Sequence, residues 1–235
     1  MPGVPPILAL ASDPLRWTLL TELSRSDRSV EELVAAAARP QNLVSYHLGL
    51  LNRGGIVEKR RSSGDGRIVY YMLDGSRIAE MLDEVASALH PAFADEAVQQ
   101  SPSLSVLFLC TENSARSQMA EALWRRRFGP TVDVWSAGTR PTTVHPGAIA
   151  EMESRGISMS GAHSKSVSSI PVSSFDVVVT VCDRVREDLP AELGARAAEH
   201  RHWSLPDPAQ PGLVEAEAFR RAADELERRV AHLTF

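Results

Sequence analysis

The feature that most constrains the fold is a cysteine placed between an apolar run and a helix-forming segment. Residues 104–109 read Leu-Ser-Val-Leu-Phe-Leu, and Cys110 is followed after five residues by Arg116 and Ser117. The apolar run predicts a buried strand, and the residues after Ser117 predict a helix. Strand-like and helical segments keep alternating from Leu104 onward. The second half of the chain is therefore predicted to form a parallel α/β sheet.

The loop after this strand has the residue types of an oxyanion site. A loop that enters a helix N-terminus presents backbone N–H groups to a tetrahedral anion and favours the thiolate form of a cysteine held there. Cys110 is the predicted nucleophile, the Arg116 guanidinium can bind two anion oxygens, and the Ser117 hydroxyl can donate to the thiolate. Asn113 tolerates the left-handed backbone that such a tight loop needs. The predicted oxyanion-binding residues are Thr111, Glu112, Asn113, Ser114, Ala115, Arg116 and Ser117. A buried structural cysteine at a strand end is the alternative.

Cysteine usage excludes several classes of protein. The 235 residues contain only Cys110 and Cys182, so a disulfide-stapled secreted scaffold is excluded, and no C-x-x-C motif is present to build a zinc ribbon. Residues 1–4 carry no basic segment before an apolar stretch, and no run approaches the about 18 apolar residues of a membrane span. We therefore expect a cytoplasmic protein with reduced thiols and no membrane contact.

Charge and histidine placement predict neither general nucleic-acid attraction nor a metal site. The net charge is −5, with 25 basic and 30 acidic residues, so any DNA binding must come from a local basic patch. Asp83 and His90 could share a helix face, but two weak ligands do not make a metal site. His200 and His202 flank Arg201 in a strand-like segment, and we expect surface roles for both.

The first hundred residues carry helix-start signals and one hairpin. Ser12 and Asp13 precede Pro14, and Ser29 has Glu32 as a capping-box partner, so each marks the beginning of a helix. A third helix over 41–51 places apolar residues 44, 48 and 51 on one face and leaves a polar N-terminal half. Two such helices joined by a short turn fit a helix-turn-helix. The strand candidates 56–61 and 68–72 around a Gly-rich turn predict a hairpin wing.

The hairpin carries the local basic patch. Residues 53–67 contain five basic side chains against two acidic ones, a charge that suits phosphate contacts. Lys59, Arg60, Arg61 and Arg67 are therefore the predicted phosphate contacts. The polar residues of the third helix are the candidates for base edges or nearby phosphates, and they are Gln41, Asn42, Ser45 and Tyr46. A small helical adaptor with a solvated, charged hairpin is the alternative interpretation.

Residues 7–90 resemble the ArsR/SmtB family of winged-helix repressors. The segments that carry the resemblance are 11–16, 48–57 and 67–71. The resemblance implies a homodimer that binds operator DNA, with the first helix and the helix near 76–90 at its interface, and release from DNA when a metal or metalloid binds. The segment that carries paired cysteines in arsenite-sensing members reads Ser-Val-Glu-Glu-Leu over 29–33. Arsenite sensing by that site is therefore excluded.

Residues 104–235 resemble the low-molecular-weight protein tyrosine phosphatases, and more closely their arsenate reductase branch. The segments that carry the resemblance are 114–122, 136–139, 145–149, 178–182 and 203–209. The resemblance implies a four-stranded parallel sheet with helices on both faces and assigns Asp207 as the general acid. Cys182 occupies the position of the branch's resolving cysteine, and Leu189 stands where a third cysteine follows. Glu112 adds a carboxylate beside the anion site, and we expect it to face solvent.

Together these patterns predict a mainly α winged helix-turn-helix domain over 1–90, a linker over 91–103 and an α/β domain over 104–235. The first hypothesis is a transcriptional regulator fused to an arsenate reductase, with arsenate or phosphate as the bound oxyanion. No tightly bound cofactor is expected, and an external thiol reductant is. Either a thioredoxin-like protein reduces a Cys110–Cys182 disulfide directly, or a small thiol of the glutathione or mycothiol class attacks the Cys110–arsenate adduct. The alternatives are a phosphatase acting on phosphotyrosine or small phosphate esters, and a non-enzymatic sensor of oxyanion or redox state.

Overall fold

The computed structural model describes residues 5–89, 104–129, 132–171, 174–189 and 197–231. The chain divides into two compact units, one within residues 1–100 and one built on residues 101–235. The predicted linker, residues 91–103, lies outside the described residues. Each unit is described by itself.

The first unit combines helices with a small antiparallel sheet, whose strand order is β1-β3-β2. Residue 57 pairs with residue 73 and residue 61 with residue 69, which makes β2 and β3 a regular hairpin. The elements in chain order are α1 (Pro6–Ala11), α2 (Pro14–Arg25), β1 (Arg28–Ser29), α3 (Val30–Ala37), α4 (Gln41–Arg53), β2 (Val57–Arg61), β3 (Val69–Leu73) and α5 (Gly75–Leu89).

The local sequence signals of this unit act where they were predicted. The Asp13 carboxylate accepts from the N–H groups of Leu15 and Arg16, each at 3.0 Å, and so caps α2. The hydrogen bond from the Arg16 backbone is the main reason that the pKa of Asp13 is lowered. Ser29 and Glu32 form the predicted capping box of α3. Helix α4 buries its apolar positions 44, 48 and 51 in the core, as its spacing predicts.

Two elements of the first unit were not predicted. Helix α1 has six residues and buries only Ile7, so its sequence shows no helical period. Strand β1 has two residues, which pair with residues 70 and 71 of β3. Both elements are too short for hydrophobic periodicity to reveal them.

The second unit contains a parallel sheet of four strands in the order β5-β4-β6-β7, flanked by helices. The predicted four-stranded parallel sheet is therefore confirmed. The elements are β4 (Val106–Cys110), α6 (Arg116–Phe128), β5 (Val134–Gly138), α7 (Pro146–Ser154), β6 (Phe175–Thr180), α8 (Asp183–Glu187), β7 (Ala197–His202) and α9 (Glu215–Ala231).

The core of this unit explains the position of the central strand. All five residues of β4 are buried, and Phe108 packs against Trp124 of α6 and Trp203 beyond β7, with ring centroids 6.0 and 5.6 Å apart. Helix α9 buries Phe219 and Leu226 on one face and carries most of its charged side chains on the other, as predicted. In the part of the chain that the structure describes, no helix is long and apolar enough to cross a membrane.

The strand register brings three chain segments to one edge of the sheet. Leu109 of β4 pairs with Thr180 of β6, which pairs with His202 of β7. The carboxyl ends of parallel strands form the ligand-binding edge of such sheets. Cys110, Cys182 and the residues that follow His202 therefore lie near a common edge of the sheet.

Candidate active site

Residues 110–117, here called the anion loop, are fixed by hydrogen bonds that neighbouring segments donate to their carbonyl groups. The carbonyl of Thr111 accepts from the Arg140 N–H at 2.8 Å, and that of Ser114 accepts from the His145 N–H at 2.9 Å. Gly138, at the end of β5, allows this close packing. A Cβ atom there would lie 2.8 Å from both the Asn113 nitrogen and the Thr111 oxygen, closer than real contacts allow.

The backbone N–H groups of the anion loop remain available on its other side. Among the described residues, the N–H groups of Glu112, Ser114 and Ala115 donate to no other group of the chain. Ala115 is the N-cap residue of α6, a helix of 13 residues, and supplies no side-chain cap. Unpartnered donors at the positive end of a helix form a cradle suited to a tetrahedral anion.

Cys110 lies at the base of this cradle. Its Sγ atom is buried, accepts from the Asn113 N–H at 3.1 Å and lies 2.9 Å from the Ser117 hydroxyl. Two polar groups, the Asn113 N–H and the Ser117 hydroxyl, are thus directed at one sulfur. The arrangement fits a nucleophile better than a structural cysteine, which needs no such donors.

Asn113 fixes the shape of the anion loop. Its φ angle is +48°, the left-handed conformation that was predicted. Its Oδ1 atom accepts from Gln118 Nε2 at 2.9 Å and from the Lys165 N–H at 2.7 Å. Its Nδ2 atom donates to the hydroxyls of Ser117 and Ser136 at 2.8 and 2.9 Å. The buried amide is fully satisfied, and the sequence could not reveal these partners because Ser136 and Lys165 lie far along the chain.

Arg116 and Asp207, both predicted from the sequence, are brought together. Arg116 is buried; its Nη2 atom lies 3.0 Å from Asp207 Oδ2, and its Nη1 atom donates to the Leu205 carbonyl at 2.9 Å. The N–H of Ala209 donates to Asp207 Oδ1, so a turn fixes the carboxylate. The guanidinium is thus aligned before an anion binds, and a carboxyl group stands beside it.

Cys182 is a second buried thiol beside the anion loop. Its Sγ atom lies 3.5 Å from the Thr111 hydroxyl, and both cysteines are free thiols. Burial raises the pKa of the Cys182 thiol, and a negative charge on Cys110 raises it further. The charge of Arg116 and hydrogen bonds from Thr111 and the Val185 N–H oppose this rise without cancelling it. Cys182 is therefore a neutral thiol at neutral pH.

The Glu112 side chain is exposed, in keeping with the expectation that it faces solvent. Its carboxylate accepts from the Ser114 hydroxyl at 3.4 Å. Glu112 therefore places a negative charge at the rim of the anion loop while its backbone belongs to the cradle.

The residues predicted to contact DNA lie on two elements of the first unit. The N-terminal half of α4 exposes its polar side chains, and the hairpin exposes three of its four predicted phosphate contacts, while Arg60 is half-buried. The α4 residues are Gln41, Asn42, Ser45 and Tyr46, and the hairpin residues are Lys59, Arg60, Arg61 and Arg67.

The expected surface role of His202 is wrong. The residue is fully buried, with Nε2 3.2 Å from Asp183 Oδ1 and Nδ1 2.9 Å from the Thr180 hydroxyl. The end of β7 is covered by the start of α8, which the strand-like pattern does not reveal. His200 is half-buried. Within the described ranges, no group of three or more His, Cys, Asp or Glu side chains could hold a metal ion.

Comparisons with known proteins identify relatives of the second unit. The family model described as low molecular weight phosphotyrosine protein phosphatase matches residues 105–234. A protein named arsenate reductase from Halalkalibacterium halodurans is 36% identical over 128 residues, which are 53% of this chain and 91% of that protein. A glutaredoxin arsenate reductase from Synechocystis is 35% identical and covers 54% of this chain and 94% of its own length.

A solved structure described as an arsenate reductase in the phosphate binding state is 35% identical, with a TM-score of 0.49, and covers 55% of this chain and 95% of its own. The family match itself spans more than half of the 235 residues. Through residues 105–234, the chain belongs to the low molecular weight phosphotyrosine protein phosphatase family.

Proposed function

We propose that this chain is a bifunctional arsenic-resistance protein, in which residues 104–235 reduce arsenate with thiols and residues 1–90 bind operator DNA. The observation that carries the enzymatic half is the placement of Cys110, contacted by the Asn113 N–H and the Ser117 hydroxyl in a backbone cradle, near a second buried thiol beside the anion loop. Hydrolysis of a phosphate ester needs one thiol, whereas reduction of arsenate needs two. The names of the relatives support the same assignment.

The first step is capture of arsenate by Cys110. The Cys110 thiolate attacks arsenic, a sulfur–arsenic bond forms, and one arsenic oxygen leaves as water. The cradle and the Arg116 guanidinium hold the remaining oxygens. Asp207, 3.0 Å from Arg116, is within reach of an oxygen bound there and supplies the proton that the leaving oxygen needs.

The second step transfers two electrons to arsenic. The Cys182 sulfur attacks the Cys110 sulfur, and the sulfur–arsenic bond breaks with its electron pair remaining on arsenic. Arsenic(V) becomes arsenic(III), the Cys182 proton passes to an arsenite oxygen, and a Cys110–Cys182 disulfide remains. Thr111, 3.5 Å from Cys182 Sγ, can donate to the forming thiolate.

An external reductant closes the cycle. Leu189 packs against the core where the reductase branch has its third cysteine, so the relay within the chain ends at Cys182. Reduction of the disulfide therefore takes two electrons and two protons from a thiol of the thioredoxin, glutathione or mycothiol class. A glutaredoxin is named in one relative.

Replacing Cys182 by alanine tests this function. We expect arsenate-dependent thiol consumption to fall at least about 100-fold with a thioredoxin system, because no second sulfur remains to break the sulfur–arsenic bond. Hydrolysis of p-nitrophenyl phosphate should change little. The measurement compares thioredoxin, glutathione and mycothiol systems side by side. A wild-type protein that reduces arsenate in none of the three systems would contradict the reductase proposal.

The phosphatase alternative uses the same pocket. The Arg116–Asp207 pair suits protonation of a phosphate-ester leaving group as well as it suits arsenate. Vigorous p-nitrophenyl phosphate hydrolysis that is unaffected by Cys182→Ala, together with no arsenate turnover, would favour this function.

The DNA-binding proposal rests on the exposure of one helix and one hairpin. Tyr46 is 59% exposed, and Gln41, Asn42 and Ser45 on α4 are exposed as well. The hairpin adds basic side chains that suit phosphates. These features support a winged helix-turn-helix in which α4 reads DNA and the β2–β3 hairpin contacts the backbone.

The homodimer proposal rests on exposed apolar side chains of α1 and α5, the first and last helices of the first unit. Leu8 of α1 is 45% exposed, and Leu82 and Leu89 of α5 are 50% and 73% exposed. Leu82 and Leu89 are seven residues apart and share a helix face. Such side chains support burial against a second copy of the chain.

Removing hairpin charges tests the DNA-binding half. We expect Arg60→Ala with Arg61→Ala to weaken binding of a random-sequence 30-base-pair duplex about 10-fold or more and to lower the log–log salt slope by about 2. Fluorescence anisotropy at several salt concentrations measures both. Arg220→Ala with Arg221→Ala on α9 is the matched control, and an equal loss in that variant would mean that net charge alone governs binding.

The sensor alternative predicts a different outcome. Arsenate would release DNA from a Cys110→Ser variant that has no turnover. If DNA release requires turnover or does not occur, the anion loop serves catalysis and does not act as an oxyanion sensor.

A further inference from the structure

A buried polar network lies where β6 and β7 end. Its members are Thr180, Asp183, His202 and Ser204, each at most 2% exposed. The sequence predicted no catalytic or binding role for any of the four. We call these four residues the strand-end network.

The contacts of this network converge on Asp183 and His202. The Ser204 hydroxyl donates to Asp183 Oδ1 at 2.7 Å, and His202 Nε2 lies 3.2 Å from the same oxygen. On its other side, His202 Nδ1 lies 2.9 Å from the Thr180 hydroxyl and 3.1 Å from the Thr180 carbonyl. A chain of polar contacts therefore joins β6, α8 and the segment after β7.

Two members of the strand-end network flank Cys182 in the sequence. Thr180 lies two residues before Cys182, and Asp183 follows it directly as the first residue of α8. The backbone between them is fixed as well, since the Val181 N–H donates to the Leu109 carbonyl at 2.7 Å. The backbone that carries the second thiol is thus fixed on both sides of Cys182.

Burial of a carboxylate and a histidine has a cost that apolar residues would avoid. Buried polar groups are costly unless their partners satisfy them, and losing one partner destabilises strongly. What such a pair supplies is one defined geometry. Because Asp183 directly follows Cys182, that geometry can fix the position of the Cys182 thiol.

We propose that Asp183 and His202 are positioning residues that hold Cys182 at bonding distance from the Cys110 sulfur during the second chemical step. This inference rests on the proposed reductase function. In that step the Cys182 sulfur bonds to the Cys110 sulfur, arsenic keeps the electron pair of the broken bond, and the Cys182 proton passes to arsenite. Neither Asp183 nor His202 touches the reacting atoms. They act by limiting where Cys182 can be.

The variant that tests this is Asp183→Asn, which keeps the shape but replaces one accepting oxygen by a donating NH2 group. Asp188→Asn is the matched control, because Asp188 is exposed and lies at the other end of the same short helix. Three quantities are measured on the full chain. They are the effective concentration of Cys182 toward Cys110 in a glutathione redox buffer, the single-turnover rate of disulfide formation with arsenate, and kcat/KM for p-nitrophenyl phosphate.

We expect Asp183→Asn to lower the effective concentration of Cys182 and the single-turnover rate at least 10-fold. The value of kcat/KM for p-nitrophenyl phosphate should fall less than 3-fold. Arg116 holds Leu205 and Asp207 by separate contacts, which is why hydrolysis is spared. Asp188→Asn should leave all three unchanged. Equal losses in all three quantities would reveal a general structural role and overturn the proposal, as would an unchanged effective concentration.

A milder variant covers the case in which Asp183→Asn does not fold. Ser204→Ala removes one hydroxyl and its 2.7 Å contact, and we expect a 3-fold to 10-fold loss confined to the two disulfide measurements. The redox buffer contains no arsenate. If wild type forms the disulfide in that buffer but not with arsenate, the reductase proposal fails while the positioning of Cys182 is still measured.

Discussion

We expect Cys110→Ser to lower arsenate reduction and p-nitrophenyl phosphate hydrolysis by about 10⁴-fold or more, the scale seen when a nucleophile is removed from a constellation that acts as a unit. A serine hydroxyl is far less acidic than a thiol and a much weaker nucleophile, so the attack on arsenic or phosphorus is lost. Both activities share this loss because both begin with attack by Cys110. The measurement is steady-state turnover with each substrate.

The control for Cys110→Ser is anion binding. The serine oxygen is smaller than sulfur and adds no steric block, and the backbone cradle is unchanged, so the affinity for phosphate should stay within about threefold. Isothermal titration with phosphate checks this. Residual turnover above about 1% of wild type would contradict the assignment of Cys110 as the nucleophile.

The second large effect is expected for Arg116→Lys. Lysine keeps the charge but loses the planar fork, so it cannot hold two anion oxygens while contacting Asp207 and the Leu205 carbonyl. We expect kcat/KM to fall about 10²-fold to 10³-fold for both substrates, as when preorganised anion donors are lost elsewhere. Phosphate binding should weaken as well.

Arg126→Lys is the matched control for Arg116→Lys, since Arg126 is an exposed arginine of the same helix. Its kinetics should equal those of wild type. If Arg116→Lys retained full kcat/KM, the charge alone would suffice, and the fork geometry would have no part in catalysis.

Signals that act within a few residues could be predicted from the sequence. The Asp13 cap, the capping box of Ser29 and the strand-loop-helix unit at Cys110 each depend on neighbours in the chain. The left-handed Asn113 belongs to this group, because the turn itself demands that conformation.

Contacts between distant segments could not be predicted. The partners of the Asn113 amide include Lys165, and the partners of His202 include Asp183, and no local pattern ties either pair together. His202 was misassigned for this reason. A histidine in a short polar strand segment resembles a surface residue until its contact with Asp183 at the start of α8 is known.

The protonated state of Cys182 has a consequence for anion capture. A neutral thiol adds no negative charge to the site, so it does not repel an approaching arsenate. In the proposed mechanism, the Cys110 sulfur can be attacked only after arsenic is bonded to it, because arsenic is then the leaving group that takes the electron pair. Capture of the anion therefore precedes electron transfer without a moving lid.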